Sequence, residues 1–367
     1  MQKNLNRVVI SGGGTGGHIF PAIAIANEIK NKYPNAEILF VGAKGKMEME
    51  KVPQAGYKII GLPITGFQRR IAFSNFILPF KLVFSLIKAY FLLKRFKPEV
   101  VIGVGGYASG PILRVASFAS IPTMVQEQNS YPGKTNRILS KVVNKICVAY
   151  DGLDQFFPKD KIVFTGNPVR NEMVTIDGKR DEAYLFFGLD PLKKTILVIG
   201  GSLGARTLNE SIINALNLIQ DKEVQVLWQC GKFYFNQYKD RTEEFKKYGV
   251  HLNEFIFKMD LAYACADIII SRAGAISVSE LTLIGKPVVL VPSPNVSDDH
   301  QTKNAMALVN KNAAILVKDI DAKNDLFPSV ISLLNEQETA RIIAANCLTL
   351  GVPNAAERIV NEIENII

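Results

Sequence analysis

The chain has 367 residues, 48% of them hydrophobic, which is more than one core ordinarily holds and predicts two domains. Four cysteines, Cys147, Cys230, Cys265 and Cys347, lie far apart with no CxxC pair, and only three histidines are present to complete a metal site. The pattern predicts reduced, structural thiols of a cytoplasmic protein and argues against a disulfide framework or a zinc centre. The formal charge of +9 is confined to one segment, because Lys51 to Pro98 carries nine Lys or Arg and no Asp or Glu while the remainder sums to zero. That excludes a generally basic protein and points to a local anionic partner.

In chain order, the polar start runs directly into a short strand without the apolar core and cleavage site of a signal peptide, so secretion is not expected. Arg7 to Ser11 reads as a β-branched strand, Gly12 to Gly17 as a glycine loop, and Ile19 to Lys30 as a helix by its apolar spacing. The same grammar returns with Thr195 to Ile199, Gly200 to Gly204 and Arg206 to Ile219. Further strands are predicted at Ile38 to Val41, Val100 to Val104, Thr123 to Gln126, Lys145 to Val148, Val224 to Trp228, Ile268 to Ser271 and Val288 to Val291. Strands alternating with helical patterns make parallel sheets whose ligand sites lie at the carboxyl ends of strands, so the predicted class is α/β with two Rossmann-like domains facing across a cleft. A strand-like run, Lys161 to Thr165, ends in the turn Gly166-Asn167-Pro168, where the boundary and a hinge are placed.

The first loop contains GxGxxG through Gly12, Gly14 and Gly17, a weak signal by itself. Glycine lets backbone N–H groups approach an anion at a helix start, where about half a positive charge from the helix dipole assists. A dinucleotide site would also need an acid near the end of the second strand, which instead reads Phe40-Val41-Gly42-Ala43. The second loop, Gly200 to Ala205, has the same logic with Ser202 as an added donor. Gly133-Lys134-Thr135 mimics the end of a Walker A motif, but Gln128 stands where its first glycine belongs. Asp319-Ile320-Asp321 resembles a metal-binding DxD, and its charged surroundings favour a solvated surface loop.

Between Phe73 and Phe96 the residues Lys81, Lys88 and Arg95 fall seven apart on one helical stripe, with apolar residues over most of the remaining circumference. The lysines interrupt the about 20 apolar residues that a spanning helix requires. Phe, Leu, Ile and Val dominate where a nucleic-acid surface would interleave polar groups, so no nucleic acid is expected. Two readings stay open: a peripheral patch that docks on an anionic membrane, or ordinary core with solvated charge.

Taken together, GGGTGGHIFPAIAIA (12–26), VIGVGGYASGP (101–111), QEQNSYPGKTNRILS (126–140), GNPVR (166–170), GGSLGARTLN (200–209), EFIFKMDLAYACADIIISRAGAISVSEL (254–281), GKPVVLVP (285–292) and HQTKNA (300–305) resemble the MurG family, family 28 glycosyltransferases of the GT-B fold. The resemblance spans nearly the whole chain. It implies an inverting transfer of N-acetylglucosamine from UDP-N-acetylglucosamine to the 4-hydroxyl of the muramyl residue of an undecaprenyl-pyrophosphoryl acceptor, lipid I, forming lipid II for peptidoglycan. No cofactor and no obligatory metal are implied. The enzyme would sit peripherally on the cytoplasmic face of the cell membrane, with other cell-wall synthesis or division proteins as further partners. Residues 1–166 would form the acceptor and membrane-associating domain, with a helix in 352–367 packing back on it, and 167–351 the donor domain.

By the same resemblance, uracil meets the main chain at Ile256, Glu280 binds the ribose, and the diphosphate meets Ser202 and the helix start Ala275, Ile276, Ser277, Val278 and Ser279. Arg170 lies near the donor, or serves only as a salt bridge at the hinge. Gln301 reads the sugar hydroxyls, but one extra residue between Pro292 and Asn304 leaves His300 as the alternative. Thr15, Gly16, Gly17 and Asn129 meet the sugar or the acceptor pyrophosphate, and Gly103, Gly105, Gly106, Tyr107 and Ser109 shape the acceptor side. His18 is the candidate base, since a neutral imidazole can take a hydroxyl proton at physiological pH, although it would also serve by hydrogen-bonding substrate. Glu127 is a second carboxylate, and at a strand end it also reads as structural. The competing functions are a UDP-N-acetylglucosamine 2-epimerase and a non-catalytic nucleotide-sugar-binding membrane subunit.

Overall fold

The computed structural model describes residues 4–65, 78–220 and 222–367. The chain divides into two compact units, 1–169 with 354–367, and 170–353. Arg69, Arg70 and the beginning of the basic apolar stretch lie outside the described residues.

In the first unit the chain runs β1 (Arg7–Gly12), α1 (Gly16–Lys32), β2 (Glu37–Ala43), α2 (Glu48–Gln54), β3 (Lys58–Leu62), α3 (Leu78–Phe96), β4 (Val100–Gly105), α4 (Ser109–Phe118), β5 (Thr123–Glu127), α5 (Lys134–Leu139), β6 (Lys145–Val148) and β7 (Ile162–Phe164). The strands form one parallel seven-stranded sheet in the order β3-β2-β1-β4-β5-β6-β7. β4 and β5 are buried along their length and β1 from Val8 onward, as expected for strands covered by helices on both faces. A register shift pairs Ser11 with Gly103 but Gly12 with Gly105, which sets the ends of two glycine loops side by side. Here, between β1 and β4, the strand order reverses, and such a point opens a crevice for ligands.

In the second unit follow α6 (Asn171–Val174), α7 (Arg180–Phe187), β8 (Lys194–Ile199), α8 (Arg206–Gln220), β9 (Val224–Gln229), α9 (Phe235–Glu243), β10 (Val250–Asn253), α10 (Met259–Cys265), β11 (Ile268–Ser271), α11 (Ala275–Ile284), β12 (Val288–Leu290), α12 (His300–Val309), β13 (Ile315–Leu316), α13 (Ala322–Asn335) and α14 (Gln337–Thr349). Its sheet is parallel and six-stranded, β10-β9-β8-β11-β12-β13, and reverses between β8 and β11. Ile196, Val198, Val226, Trp228 and Ile270 join Leu208, Ile212 and Ile219 of α8 in its core. All four cysteines are buried and free.

The last helix, α15 (Ala355–Ile366), belongs to the first unit, where Ile359, Val360 and Ile363 enter the core formed by Ile19, Ile25 and Ile29 of α1 and the sheet. Lys32 of α1 donates to Asn361 at 2.8 Å and pairs with Glu364 at 2.5 Å. Both units are α/β and Rossmann-like, the make-up expected of a GT-B chain.

Candidate active site

In the first unit the glycine loop follows β1, and α1 begins at Gly16 with Thr15 in extended conformation as its cap. The His18 and Ile19 N–H groups both reach the Thr15 carbonyl at 3.1 Å. A carboxylate not foreseen from the sequence holds this loop. Glu48, at the start of α2 and fully buried, accepts the Gly14 N–H and the Ala43 N–H, each at 2.9 Å. A Cβ on Gly13 would lie 2.2 Å from its Oε1 and one on Gly42 would lie 2.5 Å from its Cγ, so both glycines make room for it. The acid missing from the end of β2 thus arrives from the next helix, and it binds backbone.

His18 is partly buried, with Nδ1 3.0 Å from the Gly13 carbonyl. A carbonyl only accepts, so the neutral ring carries its proton on Nδ1 and Nε2 is the basic nitrogen. The ring lies on Gly105, where a Cβ would approach Nε2 to 2.8 Å. Gly106, at φ +87°, packs so closely that a Cβ would meet the Gly13 carbonyl oxygen at 2.4 Å. Gly103 similarly admits Leu113, whose Cδ2 would stand 2.8 Å from an added Cβ. The Ser109 hydroxyl is buried, 2.9 Å from the carbonyls of both Ser11 and Gly105, so it fastens the two loops together. Tyr107 is exposed beside them.

Glu127, at the end of β5, accepts the Asn129 N–H and side-chain amide at 3.0 and 3.1 Å, the Gly133 N–H at 3.1 Å and the Asn136 amide at 2.8 Å. Of its two readings, this network favours the structural one: Glu127 folds the loop that presents Asn129. The turn at Asn167 is tied to the same strand end, accepting from Gln126 and donating to the Gln128 carbonyl, both at 2.9 Å.

In the second unit Ser202 is exposed in the loop after β8. Gly204 and Gly231 touch there, a Cβ on Gly231 coming within 2.0 Å of the Gly204 nitrogen. α11 begins after Gly274 in extended conformation, and Ser279 Oγ returns to the Ala275 carbonyl at 3.0 Å. Ser279 therefore contributes to the helix itself, while Ala275, Ile276, Ser277 and Val278 form the first turn, whose N–H groups attract anions. Glu280 lies one turn further. Burial pushes its carboxyl above the ordinary range, against the Tyr263 hydroxyl, which donates to it at 3.0 Å, and the nearby Arg170 charge. Arg170 itself is exposed.

Ile256 is buried after β10, and its N–H donates to Gln229 Oε1 at 2.9 Å. Gln301 accepts the Ser293 N–H at 2.8 Å through Oε1, which turns its NH2 group to the donor role. The DxD reading needs a correction. Asp319 is no solvated loop residue: it pairs with Arg272 and accepts the Thr207 hydroxyl at 2.9 Å, which binds the end of β11 to α8. Only Ile320 and Asp321 are exposed.

Residues 8–148 match the glycosyltransferase family 28 N-terminal domain and residues 195–359 the family 28 C-terminal domain. The chain belongs to glycosyltransferase family 28. Within this family 28 setting, a Flavobacterium psychrophilum protein named UDP-N-acetylglucosamine–N-acetylmuramyl-(pentapeptide) pyrophosphoryl-undecaprenol N-acetylglucosamine transferase is 55% identical over 361 residues, 98% of each chain. A Parabacteroides distasonis protein of the same name is 53% identical, again over 98% of each chain. The crystal structure of Acinetobacter baumannii MurG superimposes with a TM-score of 0.79 at 29% identity, covering 98% of this chain and 99% of that one. A UDP-N-acetylglucosamine 2-epimerase shares the fold alone, with a TM-score of 0.66 at 16% identity. The residues expected on the donor side belong to the second unit, on loops and on the first turns of α11 and α12, and those expected on the acceptor side belong to the first.

Proposed function

We propose that the chain transfers N-acetylglucosamine from UDP-N-acetylglucosamine to the 4-hydroxyl of the muramyl residue in undecaprenyl-pyrophosphoryl-N-acetylmuramyl-pentapeptide, with inversion at the sugar. The observation that carries this reading is identity above half with transferases of that name across 98% of both chains. The epimerase reading has only a shared fold behind it.

The parts of the reaction fall to particular residues. Departure of UDP places negative charge on its diphosphate, which the first turn of α11 and Ser202 stabilise through N–H and hydroxyl donors. Glu280 accepts the ribose hydroxyl protons, Ile256 meets the uracil through its main chain, Arg170 stands beside Glu280, and Gln301 donates its amide to the sugar. On the acceptor side, Thr15, Gly16, Gly17 and Asn129 hold sugar or pyrophosphate. His18, its proton kept on Nδ1 by the Gly13 carbonyl, offers Nε2 to the attacking hydroxyl.

The acceptor's polyprenyl tail requires access to a membrane. No helix among the described residues is long and apolar enough to span one. α3 instead buries a narrow stripe, Ser85, Ala89, Leu92 and Leu93, and exposes Phe80, Val83, Phe84, Ile87 and Phe91. Apolar groups interleaved with Lys81, Lys88, Lys94 and Arg95 suit the interface of an anionic bilayer on the cytoplasmic side. Phe118, 92% exposed at the end of α4, is a further large apolar side chain outside the core, and the sequence alone did not single it out.

The test is the linkage in the product. NMR of the disaccharide made from UDP-N-acetylglucosamine and a lipid-linked muramyl-pentapeptide should show a β-1,4 bond. An α bond, or conversion of the sugar nucleotide to its 2-epimer, would contradict the proposal.

A further inference from the structure

β10 is an edge strand of the six-stranded sheet. On its inner side the Val226 N–H reaches the Gly249 carbonyl at 2.8 Å and the Cys230 N–H reaches the Asn253 carbonyl at 2.9 Å. Alternate residues of a parallel ladder face the same neighbour, so Leu252 turns its N–H and carbonyl outward, as Val250 does its carbonyl. Such an edge is a template for a further strand unless it is covered. Here it is the floor of a groove of about 450 Å³.

The two walls of the groove differ in chemistry. α7 packs with α10, and right-handed crossovers into and out of β10, which lead in opposite directions along the sheet, put α9 and α10 on opposite faces. The wall from α7 and the loop after β10 is aromatic: Phe186 meets Phe187 edge to face at 4.9 Å, and Phe255 meets Phe257 in the same way at 4.9 Å. These rings are not spent on the core, since Phe186 is 58% and Phe257 88% exposed. The wall from α9 and the turn after it carries Lys239 and Lys246, and Lys258 adds a third cation, against Glu243 as the acid among the described lining residues. His251 on the floor feels this field: burial first, then the Lys246 and Lys193 charges, hold its imidazole below its ordinary pKa.

We propose that this groove docks an extended segment of a partner protein, in which apolar residues alternate with Asp or Glu, by addition of a strand to β10. Side chains of a strand point alternately to the two faces of a sheet, so the apolar set meets the phenylalanines and the acidic set meets Lys239 and Lys246. The main chain of the segment pairs with the N–H and carbonyl of Leu252. Charge complementarity selects this occupant over a second copy of the chain, because pairing β10 with β10 would bring two lysine-bearing walls together.

The test titrates the full-length protein with fluorescein-labelled peptides of about ten residues, one alternating Val, Ile or Phe with Glu, the other with Lys in place of each Glu. The acidic peptide alone should bind, and Lys239→Glu with Lys246→Glu should weaken it at least about tenfold while KM and kcat for UDP-N-acetylglucosamine stay within about twofold. Hydrogen exchange at the Leu252 amide should slow in the complex, which contact with the lysines alone would not produce. Leu252→Pro removes the outward N–H, a change edge strands tolerate, and should also abolish binding; should that variant not fold, the lysine pair and the exchange decide by themselves. Equal binding of both peptides, binding that survives charge reversal, or unaltered exchange at Leu252 would overturn the proposal. So would displacement of the peptide by UDP, which would make the groove part of the donor site. Absence of peptide binding refutes it as well, and sedimentation of the protein as a dimer that Leu252→Pro dissociates would then put a second copy in the groove.

Discussion

In the proposed reading, Glu280 is the carboxylate that holds the ribose of the donor. Its carboxyl is raised first by burial, and the Tyr263 hydroxyl and the Arg170 charge oppose that rise. Only the ionised form accepts two ribose hydroxyls, so affinity for UDP-N-acetylglucosamine should be full above the raised pKa and fall as pH drops through it. Tyr263→Phe removes a group that lowers this pKa, and should move the midpoint of that loss to higher pH. Glu280→Gln should abolish the dependence, and Glu280→Ala should raise KM about 10- to 100-fold. For stability the sign is opposite: a carboxyl whose folded pKa exceeds its unfolded value favours folding when protonated, so Glu280 detracts from stability near neutrality and that loss is relieved in acid. Titration calorimetry across pH checks the first set, and urea melts of wild type against Glu280→Gln check the last. Glu48 makes a second prediction at this scale. Glu48→Ala leaves the Gly14 and Ala43 N–H groups without their buried acceptor, and should cost about 2–5 kcal/mol in urea denaturation. It should also raise KM for the lipid acceptor while leaving KM for the donor unchanged. The glycine run around Gly14 was legible in the sequence itself, whereas His18 and Glu280 were named by the resemblance to the family. Glu48 and Gln229 were legible by neither route, since each acts on a loop distant in sequence through a side chain that only the fold turns toward it.

Among the elements, long buried strands such as β1, β4 and β8 were plain from β-branched runs flanked by glycine. β3 and β10 were not predicted, and β13 was expected only as a late strand before Asp319. β13 has two residues, and β3 and β10 lie at sheet edges where Lys58, His251 and Asn253 break the apolar pattern. Two helices carry predictions. α15 docks through Ile359, Val360 and Ile363, so Ile363→Ala should destabilise the first unit by about 2–5 kcal/mol, read from the denaturant midpoint. α3 leaves large apolar side chains outside, among them Phe80 at 76% and Phe91 at 62% exposure. Flotation with vesicles containing phosphatidylglycerol should carry the protein up at low salt. Phe84→Ser with Phe91→Ser should weaken that binding through lost apolar area, and Lys81→Gln with Lys94→Gln should weaken it in a salt-dependent way, at most about 1 kcal/mol per charge. Unaltered flotation in both pairs would leave α3 as ordinary surface.

For the molecule as a whole, the α/β class and the repeated strand, loop and helix opening were visible in the sequence because both sheets are parallel and place their glycine loops after the strands where the order reverses. The fold positions anion-binding helix starts, and the side chains around them select the chemistry: the shared architecture of transferases and 2-epimerases makes that distinction necessary. The central claim is transfer of a sugar from a nucleotide to a lipid. Its most direct measurement incubates the purified protein with radiolabelled UDP-N-acetylglucosamine and a lipid-linked muramyl-pentapeptide in EDTA, followed by organic extraction. Label should enter the lipid fraction in the presence of the chelator, and should collapse in Glu280→Ala at donor concentrations below the wild-type KM. Unlabelled lipid, with the sugar nucleotide epimerised or merely bound, would contradict the account.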